Sequence, residues 1–299
     1  MNLTSPIVHR PSRLRPIHTL ALLVCLFSFL PAIAQPQQPP ALSNAAAQAL
    51  VRTVLKREDD ALRPTTVWMR YRIRKSSPRL STTKWIVETR DGDVAHLIAW
   101  NDQPLSADRS ALEASRLQSL LANPGLQRHR EQREAVDTER LRKIIHALPS
   151  AFVYRYAGAI ATSDGPAYRL TFQSNPSFDP FDLETQVLKG MAGELWINIA
   201  AQRVVRLQCT RIRDVDYGLG LFAKLDQGGT LLIEQHPVAG GQWRITNMLL
   251  RMNARVLFRE ISLDTELDMS DFAVVPTAMD YRAGISLLHT LPEDTGHAP

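Results

Sequence analysis

The side chains able to do chemistry do not gather in this sequence. Asp179, Asp182 and Glu184 come nearest to a carboxylate pair, which could supply an acid and a base or hold calcium. They lie in Asn175-Pro176-Ser177-Phe178-Asp179-Pro180-Phe181-Asp182, a proline-punctuated loop without the partner residues catalysis needs, so solvated loop acids are the plainer reading. His96, His129, His146, His236 and His289 are scattered, with neither His-Glu-x-x-His nor a short His/Cys spacing, and zinc is unsupported. No Gly-x-Ser-x-Gly elbow is present. Gly218-x-Gly220 and Gly228-Gly229 lack both a strand–loop–helix setting and a phosphate-loop lysine, so they read as turn glycines. Cys209 alternates with Val205 and Leu207 and should point inward as a small buried hydrophobe; a reactive thiol needs a charged neighbour, and none is local. The expectation is a protein without catalytic residues, cofactor or metal.

The beginning of the chain carries an address. Arg10, Arg13 and Arg15 precede the apolar run Leu20–Leu30, and Pro31-Ala32-Ile33-Ala34 closes it with an A-x-A pattern. Residues 1–34 are therefore expected to be a signal peptide cleaved between Ala34 and Gln35, giving an exported, periplasmic protein. The run is shorter than the roughly 20 residues that span a bilayer, so no transmembrane span is expected in the mature chain. Cys25 sits inside the apolar run rather than at its end, which argues against a lipidated cysteine. Removing the three arginines of this segment leaves 32 basic residues against 30 acidic ones. A near-neutral mature chain offers no electrostatic case for nucleic acid. Its single cysteine, Cys209, cannot close an internal disulfide.

The remaining pattern is mostly strand. Residues 35–41 are proline-rich and polar and read as a disordered leader. Ser43 to Leu62 has a capping residue and the apolar stripe Leu50, Val54 and Leu55, and Pro64 stops this helix. Val67, Met69, Tyr71 and Ile73 alternate with Arg70, Arg72 and Arg74, the period of a half-buried strand. Asp91-Gly92 marks a hairpin turn, with Val94–Trp100 returning. Residues 105–148 break this pattern and read as a charged helical insertion, amphipathic at its end through Leu141, Ile144, Ile145 and Leu148. From Ala151 onward short turns separate strand after strand, which favours antiparallel neighbours. In the last of them Glu260, Asp264, Glu266 and Asp268 share one side, and Ile261, Leu263, Leu267 and Met269 the other. Residues 276–299 lose pattern and are expected to fray. About ten strands in one antiparallel sheet curl, split or close. The expected class is therefore mainly antiparallel β with α, a curled sheet or half-open barrel with lid helices, forming one domain over 42–275.

Residues 190–272 carry the most distinctive run: Gly193, Leu195, Trp196 and Ile197; Val204 to Leu207; Asp214, Tyr217, Gly218, Gly220 and Leu221; Gly228-Gly229; and Ser270-Asp271-Phe272. It resembles a group of exported bacterial proteins related to the outer-membrane lipoprotein-sorting (LolA/LolB-like) superfamily. That resemblance implies a half-open antiparallel barrel with helices lidding an apolar concave face, and a periplasmic carrier or sensor of lipid or lipoprotein acyl chains. Under it, Trp196, Leu207, Phe222, Trp243 and Phe258 are the candidate cavity-lining residues, with ordinary core as the alternative for the aromatics among them. A second expectation, independent of the cavity, is a cell-envelope interaction module that binds a partner protein through the charged insertion.

Overall fold

A computed structural model describes residues 39–63, 67–217, 223–256, 259–275 and 278–293. Ala34, Gln35, Phe222 and Phe258 lie outside them. Helix α1 (Asn44–Ala61) starts where the Ser43 hydroxyl accepts the Ala46 amide, and turns Ala47, Val51, Val54, Leu55 and Glu58 inward on one stripe. Strands β1 (Met69–Ser77), β2 (Leu80–Val87), β3 (Val94–Trp100) and the two-residue β4 (Gln103–Pro104) follow as a meander. Ser106 caps α2 (Ala107–Ala122), and Pro124 occupies the first turn of the 28-residue α3 (Pro124–Ala151), where its missing N–H costs nothing.

The second half holds β5 (Phe152–Thr162), β6 (Gly165–Ser174), the single turn α4 (Leu183–Gln186), β7 (Met191–Asn198) and β8 (Val204–Arg211). After these come the short β9 (Val215–Tyr217) and β10 (Ala223–Leu225), then β11 (Thr230–Pro237), β12 (Trp243–Val256) and β13 (Arg259–Val274). All thirteen strands join one antiparallel sheet in the order β4-β3-β2-β1-β13-β12-β11-β8-β7-β6-β5, with β10 bridging β12 and β9. The ends of this path, β4 and β5, do not pair, so the sheet stays open rather than closing into a barrel. The chain closes the two halves into one sheet by pairing β1 with β13, from Met69 opposite Val274 to Ser76 opposite Glu266.

The sheet is covered on different faces at its two ends. On one face, called here the front, α1 and the end of α3 bury Val51, Val54, Ala147 and Ala151 against Phe152, Leu170, Leu195 and Ile197 of β5–β7. Gly193 sits in this region because a Cβ there would collide with the Gln208 carbonyl oxygen of β8. On the back face of β2 and β3, Trp85, Val87 and Val94 pack with Leu117 and Leu120 of α2 and with Ile285 and Leu288 of the last helix, α5 (Tyr281–Leu288).

Helix α5 corrects the expectation of a frayed tail over 276–299. Asp280 caps it through the Ala283 amide, Ile285 and Leu288 are buried, and the Trp85 indole donates to the Pro292 carbonyl at 2.8 Å. Eight residues between caps are too short for a clear helical period, and about two turns of helix are held by packing rather than by propensity. The close approach of Gly284, whose Cβ would meet Thr89 Cγ2 at 2.7 Å, shows how tightly it docks.

Candidate functional site

The front face of the central strands carries a continuous apolar row. Directly opposed residues of neighbouring strands share a face. Lys75 of β1 stands opposite Leu267 of β13, Leu267 opposite Met248 of β12, and Met248 opposite Ile233 of β11. The row continues through Leu207 of β8, Leu195 of β7 and Leu170 of β6. A second row runs beside it from Leu250 through Leu231, Cys209 and Gly193 to Phe172. At the β5–β8 end these side chains are fully buried, Leu170 at 0% and Leu195 at 3% exposure. Towards β11, β12 and β13 the cover thins: Ile233, Met248, Leu250 and Leu267 are half-buried, and Leu263 reaches 43% exposure.

The back face of the same strands is a ladder of charges. Arg206 pairs with Glu234 at 3.0 Å, Asn247 donates to Asp268 at 2.9 Å, Arg74 reaches Asp268 at 3.6 Å and Asp102 at 2.8 Å, and Arg251 meets Asp264 at 3.5 Å. Such exposed pairs add little stability. They do keep this face wetted while the other side of the same backbone stays apolar.

Helix α3 bridges the apolar row. At 1.5 Å per residue its 28 residues span about 42 Å, close to the width of eight strand spacings of about 4.8 Å each. One anchor lies at the β2–β3 hairpin tip. There Gln127 Nε2 donates to the Asp91 and Gly92 carbonyls at 2.7 and 3.2 Å, Arg130 donates to the Asp93 carbonyl at 3.2 Å, and the Asp93 amide donates to Glu134 Oε2 at 3.1 Å. The other anchor lies on α1 and β5. Ile144, Ile145 and Leu148 join the core there, Arg142 pairs with Asp59 at 2.8 Å, and Gln48 donates to the Pro149 carbonyl at 2.6 Å. Between the anchors, residues 128–141 are exposed except for Arg130, Glu134 and Thr138, which form a single polar stripe. The front-face residues Tyr71 and Lys84 feel the charges of Glu134 and Arg130 respectively, which places that stripe over the sheet.

The electrostatics differ between the anchors. The Arg142 guanidinium, with help from His146, holds Asp59 down at about 2. At the hairpin, burial pushes Asp93 up to about 7, with Glu134 and Glu88 adding to the rise, and burial also raises Glu134 and Glu88. Arg244 sits against Glu88 at 3.1 Å, and the Glu88 carboxylate also accepts the Met69 amide at 3.0 Å.

The residues named from sequence are distributed as follows. Leu207 lies in the apolar row. Trp196 does not: its neighbours Leu195 and Ile197 point to the front, while its own ring lies on the back face, under Arg206 at 5.1 Å, with its N–H donated to Glu194 at 3.0 Å. One-residue alternation decides this, because neighbouring side chains of a strand point to opposite faces. Trp243 is half-buried at the start of β12, opposite Pro237. Asp182 caps α4 and pairs with Lys143 at 3.3 Å, and Asp179 is exposed, so these acids build a loop rather than converge. Cys209 is 4% exposed, and burial pushes its thiol up to about 12. The histidines are apart except for His96 and His289, whose rings lie 5.8 Å from each other, and no three metal-ligating side chains come together among the described residues. Lys84 and the polar stripe of α3 went unnoticed in the sequence. The signal for Lys84 was its alternation with Thr82 and Ile86, on the side opposite Trp85 and Val87.

No protein-family model matches the chain, and no curated protein matches it. Among solved structures it is similar to a DUF1329 family protein from Desulfovibrio piger, at 10% identity and a TM-score of 0.27 over 76% of this chain and 92% of that one. It is also similar to an outer membrane lipoprotein-sorting protein domain from Vibrio parahaemolyticus, at 10% identity and a TM-score of 0.26 over 80% of this chain and 99% of that one. The assignment as an open antiparallel sheet with helices rests on the strand order itself.

Proposed function

We propose that this chain is an exported, non-catalytic carrier or sensor of lipid or lipoprotein acyl chains, which lie along the front-face row beneath α3. One observation carries this reading: a row of half-buried apolar side chains crosses the central strands, bridged by the middle of a helix whose part-buried residues there, Arg130, Glu134 and Thr138, are polar. An acyl chain would complete the burial these side chains lack, at roughly 0.8 kcal/mol per methylene. The charge ladder on the back face supports the same choice of face. The signal-like residues 1–34 supply the route out of the cytoplasm.

The test is solvent extraction of purified mature protein followed by lipid mass spectrometry, with a fluorescent fatty acid added to the emptied protein. Leu250→Arg, in the half-buried part of the strip, should abolish uptake while leaving the circular dichroism unchanged. A protein that comes out clean and ignores the fluorescent fatty acid would count against the carrier.

A second reading is an envelope interaction module. It draws on the exposed middle of α3, where Val136 and Leu141 are 51% and 41% exposed among charges. Deleting 105–148 cannot test it, because Ala147 belongs to the core. Val136→Asp together with Arg140→Glu would abolish partner pull-down if α3 is the docking surface.

A further inference from the structure

The apolar strip ends in positive charge. Its row terminates at Lys75 on β1, and the adjacent row passes from Met269 of β13 through Ile73 of β1 to Lys84 of β2. Lys84 thus stands on the front face between Ile73 and Leu97 of β3. It has no ion-pair or hydrogen-bond partner among the described residues. The charges of Arg130 of α3 and of Arg116 of α2 act on it, Arg116 being held by Glu113 and the Ala95 carbonyl. The Arg130 Nε is buried and has no hydrogen-bond partner among the described residues.

The nearby acids, Glu113 and Glu134, are each held by other partners. Glu113 is committed to Arg116 through two contacts of 2.7 Å and to the Leu97 amide at 2.8 Å. Glu134 accepts the Asp93 amide. Burial raises both Glu134 and Asp93, and Asp93, at about 7, is partly protonated near neutral pH. Burial also pushes the Lys84 ammonium and the Arg130 guanidinium down, opposed by the charges of Glu113 and Glu134 respectively. Desolvated cations with open donor positions form strong, short hydrogen bonds to carboxylate and phosphate oxygens.

We propose that the end of the strip at Lys84 and Arg130 receives the anionic head group, a carboxylate or a phosphate, of a single-chain amphiphile whose chain lies along the strip. This rests on the carrier reading and narrows it to anionic ligands in a defined orientation, head towards the β2–β3 hairpin and tail towards β8. The hairpin anchor of α3 then closes over the head group.

The experiment is a binding titration of purified mature protein at neutral pH with dodecanoate, dodecyl phosphate, dodecanol and inorganic phosphate. Dodecanoate and dodecyl phosphate should bind about tenfold or more tighter than dodecanol, the worth of one charge-assisted hydrogen bond. Lys84→Met, which replaces the lysine by an apolar side chain fitted to Ile73 and Leu97, should collapse that preference while dodecanol binding persists. Equal binding of dodecanol and the two anions would overturn the head-group site and leave the carrier standing. No binding of any chain would sink both. Inorganic phosphate binding as tightly as dodecyl phosphate would overturn the amphiphile in favour of a free-anion site. A preference that survives Lys84→Met combined with Arg130→Met would place the head group elsewhere and overturn the assignment.

Discussion

The two anchors of α3 are built from opposite materials. At the α1–β5 end the helix buries Ala147 and Ala151 completely and adds Ile144, Ile145 and Leu148 to the largest core of the molecule. At the β2–β3 hairpin it brings no apolar side chain into a core: Leu126 is 48% exposed, and Gln127, Arg130 and Glu134 grip backbone groups of a turn. Apolar burial is cooperative with the whole fold, whereas each hydrogen bond nets only about 1 kcal/mol and is replaceable by water. The helix is therefore a strap with one fixed and one releasable end, and local opening starts at the hairpin. The releasable end is also the one next to Lys84.

Four measurements break or sharpen that contrast. The largest effect belongs to the fixed end: Ala147→Asp puts an unpaired carboxylate where 2% of the residue is exposed, and should cost roughly 4 kcal/mol in urea denaturation. A loss below about 1 kcal/mol there would mean that this end is not a core anchor.

Next comes pH at the releasable end. The folded-state pKa of Asp93, about 7, lies above its ordinary value of 3.8. Folded protein thus holds this proton while the unfolded chain loses it, and stability from this site is fully present below about pH 4 and is lost as pH rises to about 7. Asp93→Asn should remove most of that fall between these limits, seen as a flatter urea-midpoint profile. Asp59 at the fixed end has the opposite sign. Its pKa is lowered, so its contribution is present above about pH 4 and is lost as pH falls towards 2. Asp59→Asn should flatten only the acid limb, and a change in the neutral limb would contradict the separation of the two ends.

The smallest effect is Gln127→Ala, which removes both hydrogen bonds to the hairpin carbonyls and should cost about 1 kcal/mol or less globally. Hydrogen exchange should report it more clearly, with amides of 124–134 losing protection and those of 142–151 unchanged. Equal loss along the helix would show that α3 opens as one unit.

Much of the strand-level pattern was legible in the residues. The alternation of Glu260, Asp264, Glu266 and Asp268 with Ile261, Leu263, Leu267 and Met269 assigns the faces of β13 as the pairings do, since period two is a property of any single strand. Ser43 and Asp91-Gly92 marked the start of α1 and the tip of the β2–β3 hairpin because capping and turn chemistry are local. Strand β2 was harder. Ser76-Ser77-Pro78 lies at a hairpin tip, and the strand returns from Leu80, opposite Ser77. For Trp196 the sequence left the face open, because an aromatic in a strand carries no mark of which face is front. That depends on where Leu195 and Ile197 find the helices.

By itself the sequence determined which elements are strand or helix and that two strand faces differ in polarity, since hydrophobic period, caps and turns act within a few residues. Only the tertiary structure decided what those faces make together. The apolar row through β13, β12, β11 and β8 exists because residues up to 60 positions apart stand in register, and register is settled by packing across the sheet. The grip of α3 on a hairpin 36 to 41 residues upstream, the docking of α5 on β2 and β3, and the electrostatic influence of Arg130 on Lys84 have the same origin. They follow from long-range contacts, whose partners no local pattern names.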